Sequence, residues 1–132
     1  MSFQCIVVTP EQTALDRTVD FAAVPLFDGE YGIGTDHSPM IGRLGIGELR
    51  IREGNDVQRF YIEGGFIEVN DNVVSVLTAR AIPAIRIDGA EAAQALVAAR
   101  SQQAAGGDDQ SAAREKAALR ARAQVRIAGR TS

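Results

Sequence analysis

The chain has 132 residues and a net charge of −3, room for one packed domain and an appendage. A lone Cys5 excludes an internal disulfide, and with a single histidine there is no cluster to hold a metal or to imply a cofactor. No run approaches the roughly 18 apolar residues of a membrane span, and residues 1–9 lack the basic start of a signal peptide, so direct insertion into a membrane is not expected.

The charge is divided. Up to Asp88 there are 7 basic and 13 acidic residues, a net of −6; from Gly89 on there are 7 basic and 4 acidic, a net of +3. An acidic body speaks against nucleic acid, whose phosphates need a basic surface. The basic tail points to an acidic protein surface.

In chain order, apolar alternation predicts strands at Phe3 to Thr9, Thr18 to Val24, Glu48 to Arg52, Val57 to Glu63, Phe66 to Val69 and Val73 to Thr78. The segments Glu53-Gly54-Asn55-Asp56, Gly64-Gly65 and Asn70-Asp71-Asn72 read as turns between them. Asp28 to Ile41, DGEYGIGTDHSPMI, is a Gly-rich bend that carries the only histidine, His37. Many short strands with hairpin signals favour an antiparallel β-sandwich or a barrel over 1–86, and with no long helical pattern before Asp88 a parallel βαβ sheet is not expected.

Residues 87–132 are rich in alanine, carry mostly arginine as charge and lack proline, so helix is expected. Asp88 followed by Glu91 is a capping signal, and Gly106-Gly107-Asp108-Asp109 reads as the stop of one helix and the cap of the next, over about Ser111 to Ala128. The result is an antiparallel two-helix hairpin. Its large apolar residues are Leu96, Val97, Leu119, Val125 and Ile127; each buried Leu or Val contributes about 1.5–3 kcal/mol, against about 0.8 for an Ala methyl. A seam made mostly of alanine holds loosely, and two docked positions of such a tail differ little in energy.

Asp36-His37-Ser38 lists the residues of a catalytic triad, but consecutive residues point apart and cannot relay a proton, so no catalytic site is assigned. Gly32 and Gly34 lack the third glycine and following helix of a dinucleotide loop. Asp28 and Glu30 read as an exposed acidic loop, and Cys5, in phase with Phe3 and Val7, as a packed thiol. The tail arginines Arg114, Arg120, Arg122, Arg126 and Arg130, with Lys116, are the compositional candidates for binding, although a charge run of this kind also reads as a solvated helix face.

Asp28-Gly29-Glu30-Tyr31-Gly32-Ile33-Gly34-Thr35-Asp36-His37-Ser38-Pro39-Met40 resembles the bend E-G-E-L-G-I-x-P-G-H-x-P-L of the epsilon subunit of the F-type ATP synthase, called delta in mitochondria, with Thr35 and Asp36 in place of Pro and Gly. Glu63-Gly64-Gly65-Phe66-Ile67-Glu68-Val69, the run Val73 to Leu77 and the opening Val7-Val8-Thr9-Pro10 extend the likeness along the chain. The resemblance implies a rotor subunit without an active site, at the cytoplasmic face of the bacterial cell membrane. Its sandwich would bind the gamma subunit and the loops of the c-ring, with Glu30 and His37 at or near the ring. Its helices would extend toward an acidic segment of a catalytic beta subunit and suppress ATP hydrolysis. Some members bind ATP through I-D-x-x-R-A and second-helix arginines. Here Ile87-Asp88-Gly89-Ala90-Glu91-Ala92 places an acid at the arginine, so Asp88, Arg122 and Arg126 form an incomplete site and weak or absent ATP binding is expected. The competing reading is a free-standing β-sandwich ligand-binding module with an oligomerising helical tail. A small hydrolase using His37 has little support.

Overall fold

The computed structural model describes residues 2–105 and 111–129. The chain divides into two compact units, Met1–Pro83 and Ala84–Ser132. The first holds eight strands: β1 (Phe3–Val8), β2 (Thr13–Val19), β3 (Phe21–Leu26), β4 (Gly29–Ile33), β5 (Met40–Glu53), β6 (Asp56–Asn70), β7 (Val73–Leu77) and β8 (Ala81–Pro83). The second holds a 3-10 turn at Ala84–Arg86, α1 (Gly89–Ala105) and α2 (Ser111–Gly129).

The strands form one sheet in the order β2-β1-β7-β6-β5-β3-β4, with β8 added to β6. β2 and β3 are consecutive in sequence yet lie toward opposite ends of that path, which requires the sheet to fold over on itself as a sandwich. Asp20 makes the corner between them: its N–H donates to the Arg52 carbonyl at 2.8 Å, and its carboxylate accepts from Gly54 N at 2.6 Å. The alternation that joins Thr18 to Val24 in sequence therefore belongs to two strands. The pairings are antiparallel except that β1 runs parallel to β7.

β5 and β6 are long because each serves both layers. The C-terminal part of β6 pairs with β7 through Phe66–Asn70, while Phe60–Ile62 pairs with β8. Gly64-Gly65, expected as a turn, is instead a bend inside β6. Both glycines have positive φ, 66° and 105°, and the pairing with β5 resumes on either side, at Ile46↔Glu63 and Leu44↔Gly65. Tight turns do occur at Gly54, with φ 61°, and at Asp71-Asn72, where φ of 50° and 59° fits a type I′ hairpin turn.

The core follows the alternation. Phe3, Cys5 and Val7 of β1 are buried with Leu49, Ile51, Phe60, Ile62, Ile67, Val69, Val74 and Val76. Cys5 is a free thiol in this core, and burial pushes its pKa from 9.0 to about 12.

In the second unit Asp88 caps α1: Glu91 N donates to its Oδ1 at 3.1 Å, and Ala92 N donates to its carbonyl at 3.0 Å. Gly89, at the start of α1, lies against Ala128, near the end of α2, so the helices run antiparallel. The expected stop at Gly106 to Asp109 lies outside the described residues. Ala92, Leu96 and Ala99 form the covered stripe of α1, and Ala118, Ala121, Ala123 and Ile127 are buried on α2. Val97 and Leu119, expected in the seam, are 63% and 50% exposed, because they fall outside the stripe of α1 and the buried positions of α2 respectively.

Candidate functional site

The bend between β4 and β5 is residues 34–39, outside every strand. Its histidine is half-buried. His37 Nδ1 lies 2.7 Å from the Ser38 carbonyl, and Nε2 lies 2.7 Å from the Tyr31 hydroxyl. A carbonyl only accepts, so Nδ1 carries the proton, and in the neutral ring Nε2 accepts from Tyr31. The Tyr31 ring meets the imidazole edge-on, with centroids 5.5 Å apart. Asp36 does not turn to His37: its N–H donates to Asn72 Oδ1 at 2.7 Å and its Oδ1 accepts from Asn72 Nδ2 at 2.8 Å. Asp36 thus bonds Asn72 while the His37 ring bonds Tyr31 and the Ser38 main chain, so the three side chains form no relay.

Glu30 is on β4, next to Tyr31, and an ion pair joins it to Arg50 of β5. Successive strand residues point to opposite faces. The structure therefore gives Glu30 and His37 different surroundings rather than one cluster. The Phe21 ring covers Gly32, where a Cβ would lie 2.9 Å from Phe21 Cζ; this glycine makes room for an aromatic ring.

A second feature, an apolar outer face, was not marked from sequence. Ile67 and Val69 point into the core, so Phe66 and Glu68, out of phase with them, point outward. Cross-strand register then builds two rows. Arg43, Phe66, Leu77 and Val8 form one; Ile41, Glu68, Ser75 and Ile6 form the next. Ile41 is 77% exposed, Phe66 58% and Leu77 49%. Phe27, 70% exposed, adjoins them under the Arg43 guanidinium, 4.8 Å from its ring centroid. Contiguous exposed apolar side chains on a sheet make this face the candidate contact surface. The signal in sequence was an aromatic residue out of step with the buried alternation of its own strand.

On α2 the basic residues are divided rather than joined. Arg122 and Arg126, one turn apart and exposed, share a stripe with exposed Glu115 and Leu119. Lys116 is exposed off that stripe, and half-buried Arg120 lies on the other side of the helix. Arg130 and the side chain of Arg114 lie outside the described residues. Asp88 is committed to the N-terminus of α1. Among the described residues no group of three or more His, Cys, Asp or Glu is arranged to hold a metal.

Residues 2–84 match the family described as ATP synthase, Delta/Epsilon chain, beta-sandwich domain. The chain is 46% identical to an ATP synthase epsilon chain of Rhodopirellula baltica, over 96% of this chain and 98% of that one. It is 36% identical to one of Nitratidesulfovibrio vulgaris, over 93% and 92%. A chain in the structure of Euglena gracilis mitochondrial ATP synthase, OSCP/F1/c-ring, superposes with a TM-score of 0.86 at 25% identity, over 92% of this chain and 78% of that one. A chain from the central stalk/c-ring structure of Tetrahymena thermophila mitochondrial ATP synthase shares the fold, with a TM-score of 0.62 at 17% identity, over 97% and 94%. With the family model matching residues 2–84 and relatives matched over more than nine-tenths of their length, this chain belongs to the delta/epsilon chain family of the ATP synthase.

Proposed function

We propose that the chain is a non-catalytic central-stalk subunit of a bacterial ATP synthase, bound peripherally at the cytoplasmic face of the cell membrane. In this reading the sandwich grips the gamma subunit and the loops of the c-ring, and so helps ion-driven rotation reach the catalytic head. The observation that carries it is the outer face built on Phe66, Leu77 and Ile41, left uncovered in a chain of this family. Such a face costs solubility in a monomer and gains free energy against a partner, about 25 cal/mol for each Å² of apolar surface covered. No described helix is long and apolar enough to cross a membrane.

The bend with His37 and the neighbouring Glu30 supply the ring contact in this reading. The exposed Arg122 and Arg126, with Lys116 and Arg114, supply a basic helix for an acidic segment of a beta subunit, where it restrains ATP hydrolysis. ATP itself binds weakly or not at all, since Glu91 repels phosphate beside the capped helix end. Pull-down of the tagged chain from its native membrane tests the reading. Recovery of a gamma subunit and ring supports it; recovery of the chain alone, with a small molecule retained, favours a ligand-binding module instead.

A further inference from the structure

We infer that Asn72 is the positioning residue for the His37 bend. Three elements meet at its atoms. Its backbone carbonyl accepts from Gln4 N of β1 at 2.9 Å, its side-chain oxygen accepts from Asp36 N at 2.7 Å, and its side-chain amide donates to Asp36 Oδ1 at 2.8 Å. Both partners hold a left-handed backbone, φ 59° at Asn72 and 60° at Asp36. Short polar side chains tolerate that conformation best, and here each uses its side chain to bond the other.

The bend has little else to fix it. Residues 34–39 lie outside the strands, and the two His37 bonds reach only Ser38 and Tyr31, within six positions along the chain. The Asp36–Asn72 exchange spans 36 positions and ties the bend to the β6–β7 turn. Through Gln4 it is tied to β1 as well. The bend and the turn thus form one rigid corner, and His37 keeps a fixed place on it. The inference rests on the reading of this corner as ring-facing.

The test uses the full chain, alone and in the reassembled complex. Asn72→Asp removes the donor and sets two carboxylates face to face; adding Asp36→Asn restores a complementary pair with the roles exchanged. Amides of residues 35–38 should exchange about tenfold faster in Asn72→Asp, with β1, β6 and β7 unchanged, and should recover in the exchanged pair. ATP-driven ion pumping per ATP hydrolysed should fall and recover in parallel. Unchanged exchange at the bend, equal loss of protection throughout β1 and β7, or no recovery in the exchanged pair would overturn the positioning role. Pumping lost in His37→Ala but retained in Asn72→Asp also overturns it, whereas pumping retained in both removes the ring-facing reading itself.

Discussion

Gly65 lies directly against the main chain at Leu77: a Cβ at this position would collide with the Leu77 carbonyl and sit 2.9 Å from Thr78 Cα. Its φ of 105° is one that side chains rarely adopt. Gly65→Ala should therefore combine backbone strain with overpacking and cost about 3 kcal/mol or more. The urea midpoint of the variant measures it. Gly34→Ala, where a Cβ meets nothing within 4 Å, is the control and should stay within about 0.5 kcal/mol of the parent.

That contact also shows why β6 was not legible as one strand. Gly-Gly in sequence signals a turn, and only packing reveals that the chain continues through it. The first half of β5 was hidden for a related reason, because Met40-Ile41-Gly42-Arg43-Leu44-Gly45-Ile46-Gly47 has glycine where strand propensity would ask for β-branched residues. All three glycines yield space: a Cβ at Gly42 would meet Leu26 and Ile67 at 3.1 and 3.2 Å, one at Gly45 the Leu26 carbonyl at 3.2 Å, and one at Gly47 Pro25 at 3.0 Å. By contrast, the alternation of Phe3, Cys5 and Val7 and the cap at Asp88 depend on near neighbours alone, and both could be read directly. The partner of Asp36 is 36 positions away, and no local pattern names it.

Phe66 and Leu77 separate folding from assembly. Both are about half exposed, so Phe66→Ser with Leu77→Ser should leave the sandwich folded, at a cost of about 1 kcal/mol. Against the stalk partner the same pair should act as contact residues, lowering affinity about tenfold or more. Titration of the gamma subunit with parent and variant checks this. Equal affinity would move the contact to another face.

Alkaline pH should weaken the fold through Cys5. Its pKa in the folded chain is about 12, raised from 9.0 by burial. Below pH 9.0 both states keep the proton, and above that value the unfolded chain releases it while the folded chain does not. The unfolded state then binds fewer protons, so unfolding free energy falls as pH rises, by up to about 1.4 kcal/mol per pH unit until the folded pKa is passed. Urea titrations of parent and Cys5→Ala at neutral and alkaline pH isolate the effect as the difference in slope. The same burial predicts that the thiol stays unalkylated until the chain unfolds.

Arg122 and Arg126 are the cations of α2 that share an exposed stripe, so charge reversal there tests the proposed restraint on ATP hydrolysis most directly. An exposed ion pair contributes about 0–1 kcal/mol, and turning two attractions into repulsions should shift the inhibited state by about 1–2 kcal/mol. That corresponds to an equilibrium change of about 5- to 30-fold. Arg122→Glu with Arg126→Glu should accordingly raise ATP hydrolysis by the reassembled complex toward the level of a chain truncated after Asp88. Added salt should raise hydrolysis by the parent complex but not by the variant, because screening removes only an attraction that is present. Half-buried Arg120, on the other side of the helix, should change hairpin stability and leave this salt dependence in place. If truncation itself leaves hydrolysis unchanged, the helices restrain nothing and the stripe has another partner.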